Sequence, residues 1–290
     1  MKVLKFGGTV LKNSSNIKNV GKIIHQQLKN DEKNIIVISA FFGVTNKLLE
    51  LATIASNKKD FSSKFTKIKE FHLKIVKQLS ICDNAKKQVL SLFKDLNSVL
   101  KKIQKSHKLS LELQDVVLSF GERLSSLIVF HYLLKTEKVV QIFPDEIIKT
   151  NSDFGCASVN LSKSYKLIKN CIKNKKENII VCAGFFASND NGNITTLGRN
   201  AGDYTAAIVA SAINADVLEI WKDTCLYTAD PKIVKNAKII KNIKYDEMYK
   251  LSLSGNKVLH PLTVKLCNSK KIPIVIKDCN NPLNAGTLIS

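Results

Sequence analysis

Arginine is nearly missing from this 290-residue chain: of 45 lysines and arginines, only Arg123 and Arg199 are arginine. Lysine has filled almost every other cationic position. What the two arginines do must therefore call for a planar guanidinium fork, which holds a carboxylate or phosphate through two parallel hydrogen bonds where an ammonium cannot. Glycine-rich nucleotide signatures are missing too. Neither G-x-x-x-x-G-K-[ST] nor G-x-G-x-x-G occurs, so nucleotide chemistry here needs a different cradle. No segment approaches the roughly 20 apolar residues of a membrane-spanning helix. The opening MKVLKFGG turns to glycine before a leader-like apolar run can form, so neither a signal peptide nor an anchor is expected. The seven cysteines are odd in number and form no C-x-x-C pair. Several sit in apolar runs such as IIVCAGFF, the pattern of reduced thiols in a cytoplasmic protein.

Acidic residues are scarce as well, 24 against 45 basic ones, for a net charge of +21. Clustered lysines would point to a phosphate backbone as partner. These lysines are spread along the whole length among Asn and Ile, with no arginine-rich or aromatic-interleaved patch. They read as solvated faces written by A/T-rich codons, so neither nucleic acid nor membrane is an expected partner. Hydrophobic residues make up 44%, ample for a buried core.

The chain opens as strand, glycine turn, helix, strand: KVLKF, GG, an amphipathic stretch to about residue 30, then NIIVIS. Continuous β-branched runs suit a parallel sheet covered on both faces. Residues 58–110 are lysine-rich, lack Gly and Pro, and carry apolar residues at helical spacing, which predicts a helical excursion on one side of the sheet. A further helix from Glu112 carries GERLSSLIVFHYLL and leads to the strand VVQIF. ENIIVCAGFFAS reads as one buried strand, and DNG at 190–192 as a hairpin turn before NITTL. The helix AGDYTAAIVASAI, the strand DVLEIW, a loop KDTCLYTADPK, two helical stretches around 245–269 and a last strand IPIVI follow.

Several motifs carry chemistry. KFGGT at 5–9 puts Gly7 and Gly8 at the end of the first strand, where backbone amides approach phosphate oxygens and Lys5 adds a point charge. An ordinary tight turn is the alternative. SAFFGVTN supplies Ser39 and Thr45 hydroxyls at the same sheet edge, or simply a helix cap at Thr45. SFGERL pairs Glu122 with Arg123, a candidate ion pair. In TTLGRNAGDYTAA, Arg199 stands four residues before Asp203, at the start of a helix made of small residues. Trp221, Asp223 and Tyr227 are suited to gripping a purine and ribose. Lys257, in SGNKVLHP, could reach phosphates. His260, beside Pro261, reads as a packing or capping group rather than a metal ligand, and no metal ligand set is expected.

Taken in order, KFGGT, SAFFGVTN, SFGERLSS, GFFAS…TTLGRNAGDYTAA, YTADPK and GNKVLHPLT resemble the aspartokinases of the amino-acid kinase superfamily over essentially the whole chain. The resemblance implies an α/β fold, a three-layer α/β/α sandwich with a mainly parallel central sheet of about eight strands. It implies one catalytic domain over 1–290, with an amino-acid-binding lobe over about 1–190 and a nucleotide-binding lobe over about 191–290. The implied reaction is phosphorylation of the β-carboxylate of L-aspartate by ATP with Mg2+, the entry to lysine, threonine, methionine and diaminopimelate biosynthesis. By the same resemblance Lys5 grips phosphate, with Gly7 and Gly8 as amide donors, and Asp203 organises the catalytic centre by orienting Lys5. Ser39, Thr45, Glu122, Arg199 and Gly202 bind the substrate, with Arg199 on its α-carboxylate and Glu122 on its ammonium. Asp223, Tyr227, Lys232, Lys257 and Val258 contact the nucleotide.

The chain departs from that pattern at Val10, where a Ser is usual, and at Gly202, also usually Ser. Lys222 replaces Thr, Lys232 replaces Arg, and the loop KDTCLY is a residue shorter. These changes put nucleotide affinity in question more than the reaction. The ACT regulatory domains common in the family are not found in this sequence, so insensitivity to lysine and threonine is expected; a homodimer is one expected assembly. The competing readings are an acetylglutamate or glutamate kinase, a decayed ligand-binding protein and a basic nucleic-acid binder.

Overall fold

The two opening apolar runs form neighbouring parallel strands, β1 (Lys2–Phe6) and β2 (Asn34–Ile38), with α1 (Ser14–Gln27) between them. A computed structural model describes residues 1–290 except 28–32, 199, 230–232, 235 and 255–257. After β2 come α2 (Val44–Ser56) and the predicted excursion, which is a pair of helices, α3 (Ser62–Gln78) and α4 (Asp83–Ser106). The long α5 (Leu111–Leu133) follows, then β3 (Val139–Ile142), the short α6 (Pro144–Ile147) and β4 (Lys149–Thr150). Next are α7 (Leu161–Lys173), β5 (Ile179–Ala183), β6 (Phe186–Asn189), β7 (Ile194–Thr196) and α8 (Gly202–Ile213). The chain finishes with β8 (Val217–Lys222), β9 (Asn242–Ile243), α9 (Tyr245–Leu253), α10 (Pro261–Lys270), β10 (Ile274–Asp278) and β11 (Thr287–Ile289).

Eight strands form the central sheet in the order β3-β5-β2-β1-β8-β10-β11-β9, parallel except where β11 runs against β10. Strand alternation sends successive side chains to opposite faces. Leu4, Phe6, Ile36 and Ile38 pack under α1–α5, with Ile17, Leu48, Ile75, Phe93 and Leu124. Val3, Ile35 and Val37 pack on the other face under α7–α10, with Ile168, Ala206, Met248 and Val264. The result is the three-layer α/β/α arrangement with a mainly parallel sheet.

Three local expectations are corrected. ENIIVCAGFFAS is two strands, not one: β5 stays in the central sheet, while β6 joins β4 and β7 in a separate three-stranded sheet. The chain turns at Gly184 and Phe185, whose φ is +76°. The turn is held by Gly184 N–H on the Ile38 carbonyl at 2.9 Å and Phe185 N–H on Thr205 Oγ1 at 2.9 Å. IPIVI is not the last strand, because the chain doubles back through Gly286 to form β11. Finally, α5 is long and apolar enough to cross a bilayer, but it is largely buried as a core helix against α4 and α2.

Candidate active site

Parallel register brings the carboxyl ends of β2, β1 and β8 to one level, with Lys5 opposite Val37 and Ile220. Ligands of open α/β sheets bind at such an edge, where the chain direction switches sides. A cavity of about 660 Å3 opens there, lined by residues following β1, β2 and β8, by the first turns of α2 and α8, and by Glu122 of α5. That volume is within the range of small-molecule sites.

Of the residues singled out in the sequence, Lys5, Gly7, Gly8, Ser39, Thr45, Glu122, Gly202, Asp203, Asp223 and Val258 all line this cavity. Arg199, Lys232 and Lys257 lie outside the described residues. Tyr227 is not part of the lining; its backbone bridges to Ile239 in the loop after β8. Trp221 is a correction. It is fully buried, stacks on Phe6 with ring centroids 5.9 Å apart, and donates its indole N–H to Glu219 at 2.9 Å. Alternation along β8 turns it into the core under α1–α5, so it cannot grip a purine.

Lys5 shares the face of Val3, which α8 covers, and its ammonium lies 2.5 Å from the carboxylate of Asp203 in the first turn of α8. Both are nearly buried, at 8% and 6% side-chain exposure. Burial alone would raise the Asp203 carboxyl. Lys5, and after it Lys222, outweigh burial and hold it below the usual aspartate range. The Gly7 amide continues the β1–β8 ladder onto the Trp221 carbonyl at 3.3 Å. The Gly7 amide is therefore already engaged, and a Cβ on Gly8 would press the Ala40 carbonyl at 3.0 Å, so this glycine lets the loop after β2 pack closely against the turn. A side chain on Gly202 would meet Ser39 Oγ at 2.9 Å and Lys5 Cε at 3.4 Å. The missing Ser hydroxyl is thus exchanged for room beside Ser39 and Lys5.

Across the cavity stands Glu122, 4% exposed. Its Oε1 accepts the Ala40 N–H at 3.1 Å, while Oε2 is buried with no partner. Burial pushes its carboxyl up to about 8 against the pull of the Ala40 hydrogen bond and the Lys5 charge. Arg123 is turned away from this site. Its guanidinium pairs with Asp145 at 2.9 Å and stacks over Phe186 at 4.5 Å, tying α5 to α6 and β6. The SFGERL pair is therefore not an ion pair with itself. His260 caps α10 by accepting the Leu262 N–H at 3.3 Å and stacks on Tyr204, the packing role expected beside Pro261.

Sequence reading missed Asp115. Fully buried on α5, seven residues before Glu122, it accepts Gly155 N–H and Thr196 N–H at 2.8 Å each and the Thr196 hydroxyl at 2.6 Å. Burial pushes its carboxyl up despite these bonds. It fixes β7, whose end runs through Gly198 toward α8, against the helix that carries Glu122. The available signal was an acid two helical turns from Glu122 on an otherwise apolar helix. Replacing Asp115 with Ala strands three donors, two of them buried, and is expected to lower stability by about 3 kcal/mol in urea titrations. Asp115→Asn, which keeps an acceptor, loses less.

The model of a family described as "Amino acid kinase family" matches residues 1–278. A bifunctional aspartokinase/homoserine dehydrogenase of Buchnera aphidicola is 33% identical over 298 residues, covering 100% of this chain and 36% of that protein. An aspartokinase of Chlamydia trachomatis is 30% identical, covering 99% of this chain and 64% of its own length. The crystal structure of Escherichia coli aspartokinase III in complex with aspartate and ADP superposes with a TM-score of 0.91 at 27% identity, over 100% of this chain and 64% of that one. The chain thus spans between about one third and two thirds of the length of these relatives. A family match running from the first strand to the end of β10, over the same sheet edge that gathers Lys5, Asp203 and Glu122, leaves one conclusion: the chain belongs to the amino acid kinase family.

Proposed function

We propose that this chain transfers the γ-phosphoryl group of ATP to the β-carboxylate of L-aspartate, giving 4-phospho-L-aspartate and ADP. One observation carries the proposal: the buried Lys5–Asp203 pair and the unpartnered Glu122 oxygen line the same cavity. The first offers a fixed cation to a transferred phosphoryl group. The second offers an acceptor to an amino acid's ammonium. The relatives named as aspartokinases, and the neighbour whose structure holds aspartate and ADP, support the same substrates.

The chemistry is consistent with these residues. A side-chain carboxylate with a pKa of about 3.9 is already ionised at neutral pH, so the nucleophile needs no general base. What the site must supply is alignment of two anions and neutralisation of charge on the moving phosphoryl group. Lys5 takes the charge, Asp203 fixes where the ammonium sits, and Gly8 lets the phosphates come close. Ser39, Thr45 and Glu122 hold the amino acid, and Arg199 is assigned its α-carboxylate from sequence alone. On this reading β2, α2 and α5 serve the amino-acid lobe, over about 1–190. The loop after β8 and the start of α10 serve the nucleotide lobe, with Asp223, Tyr227, Lys232, Lys257 and Val258.

Among the described residues no cluster of three or more His, Cys, Asp or Glu side chains could hold a metal, and Asp203 is already engaged by Lys5. These residues do not fit a resident metal centre, and magnesium enters with ATP as part of the substrate.

An acetylglutamate kinase reading differs at Glu122, because an N-acetylated substrate brings no ammonium to it. The test is hydroxylamine trapping of the acyl phosphate with ATP and, in turn, aspartate, glutamate, N-acetylglutamate and N-acetylaspartate. A hydroxamate from aspartate alone is the expected result. A hydroxamate from an N-acetylated acid, or none at all, would overturn the assignment.

A further inference from the structure

The sequence set Lys222 down as a departure that could weaken nucleotide binding. Its position says otherwise. Along β8, Leu218 and Ile220 pack into the core under α7–α10, while Trp221 packs into the opposite core. Alternation therefore carries Lys222 to the same face as Lys5 and Asp203. Phe6 is paired with Trp221 in the parallel register, so Lys222 comes level with Gly7, next to the glycine turn. It lines the cavity with Lys5, Gly7, Gly8 and Asp203, and its ammonium donates to the Val258 carbonyl on the far wall.

The local charges do not balance. Asp203 is paired with Lys5 at 2.5 Å and is pulled down by Lys5 first and Lys222 second, so one carboxylate answers to two ammoniums. Lys222 itself is pushed below the usual lysine range, first by burial and also by Lys5, with Asp203 and Asp223 opposing. Asp223 offers partial relief only, because it sits at the rim, half exposed, 3.8 Å from Lys12. A carbonyl such as that of Val258 needs only a neutral donor. Desolvating an ammonium to supply one is unfavourable unless an anion also comes to it.

We infer that Lys222 is a second phosphate-binding ammonium of this cavity, placed beside Lys5 by the β1–β8 register, and that it contacts the polyphosphate of the nucleotide. The inference rests on the kinase reading for the identity of the ligand but not for the anion site itself. It turns an apparent defect of the nucleotide loop into a compensation, since the cation added on β8 lies where phosphates enter.

The single tryptophan, Trp221, is the adjacent residue and serves as reporter. Fluorescence titrations of the whole protein with ADP, inorganic tripolyphosphate and adenosine are compared for wild type, Lys222→Met, Lys222→Gln and Lys222→Arg. Loss of one charge-assisted contact should weaken ADP and tripolyphosphate about tenfold or more in the Met and Gln variants. Adenosine binding stays within about twofold, and Arg restores most of the loss. The Gln variant is decisive, because it keeps a donor for the Val258 carbonyl without the charge. Wild-type-like tripolyphosphate binding by Lys222→Gln, or equal weakening of adenosine and tripolyphosphate, would show that Lys222 only braces the wall. If the anion pattern holds while no acyl phosphate can be trapped from aspartate, the kinase assignment fails and the phosphate site stands.

Discussion

Replacing Lys5 with methionine is expected to lower kcat for phosphoryl transfer to aspartate by about 10²–10³-fold, the usual loss when one preorganised electrostatic group is removed from a transition state. KM for aspartate should move little, since the proposed role of this ammonium is on the phosphoryl group rather than on the amino acid. Lys5 and Asp203 are 2.5 Å apart and almost buried, so they act as a unit. Asp203→Asn should cost a similar factor, and the double variant should lose no more than the worse single one. Their stabilities should differ. Without Lys5, Asp203 still faces Lys222. Without the Asp203 charge, two desolvated ammoniums face each other. Asp203→Asn is thus the more destabilising change, readable in its melting temperature. The folded carboxyl of Asp203 lies below its unfolded value, so its contribution is present above the usual aspartate range and disappears as pH falls through the folded pKa. Assays near neutrality therefore sample the intact pair. Turnover within a few-fold of wild type for Lys5→Met, measured by coupled ADP release, would remove Lys5 from the chemistry.

Much of this site was legible because its residues sit where local sequence marks them. Lys5 lies at the end of a strand, Ser39 and Asp223 follow one and Asp203 opens a helix, and glycines, small-residue runs and β-branched segments signal those positions. The α3–α4 excursion was legible from the absence of Gly and Pro together with helical periodicity. What stayed hidden depends on distant partners. The side to which Trp221 points is set only when β8 pairs with β1 and one face is covered by α8. The break after Ala183 is made by Ile38 and Thr205, far along the chain. β9 has two residues and exists only because β11 pairs with it. Asp115 looks like an acid in a helix until Thr196 and Gly155 fold back onto it. Lys222 reads as a loss until register puts it next to the glycine turn.

Glutamate 122 should make aspartate binding depend on pH in a way that Glu122→Gln abolishes. Its carboxyl is pushed up to about 8 by burial, only partly offset by the Ala40 hydrogen bond and the charge of Lys5. The protonated form therefore predominates in the free site at neutral pH, whereas an ammonium calls for the carboxylate at Oε2, the oxygen without a partner. Binding an ammonium there is then expected to release protons near neutral pH. Affinity should rise about tenfold per unit between pH 6 and 8 and level off above. Glutamine resembles the protonated acid, so Glu122→Gln should match wild type near pH 6 and be weaker by about 100-fold once the wild-type carboxylate is ionised. The same shift has an opposite effect on the unliganded fold. Because the folded carboxyl is raised above its ordinary 4.5, the folded state keeps a proton that the unfolded chain has lost between those two values. Stability thus falls as pH rises through that window, by up to about 1.4 kcal/mol per unit, and saturating aspartate restores it. Calorimetry in two buffers of different ionisation enthalpy counts the proton, and denaturation from pH 5 to 8 gives the slope. A pH-independent aspartate affinity in wild type, or the same pH slope in Glu122→Gln, would show that Glu122 does not receive the ammonium.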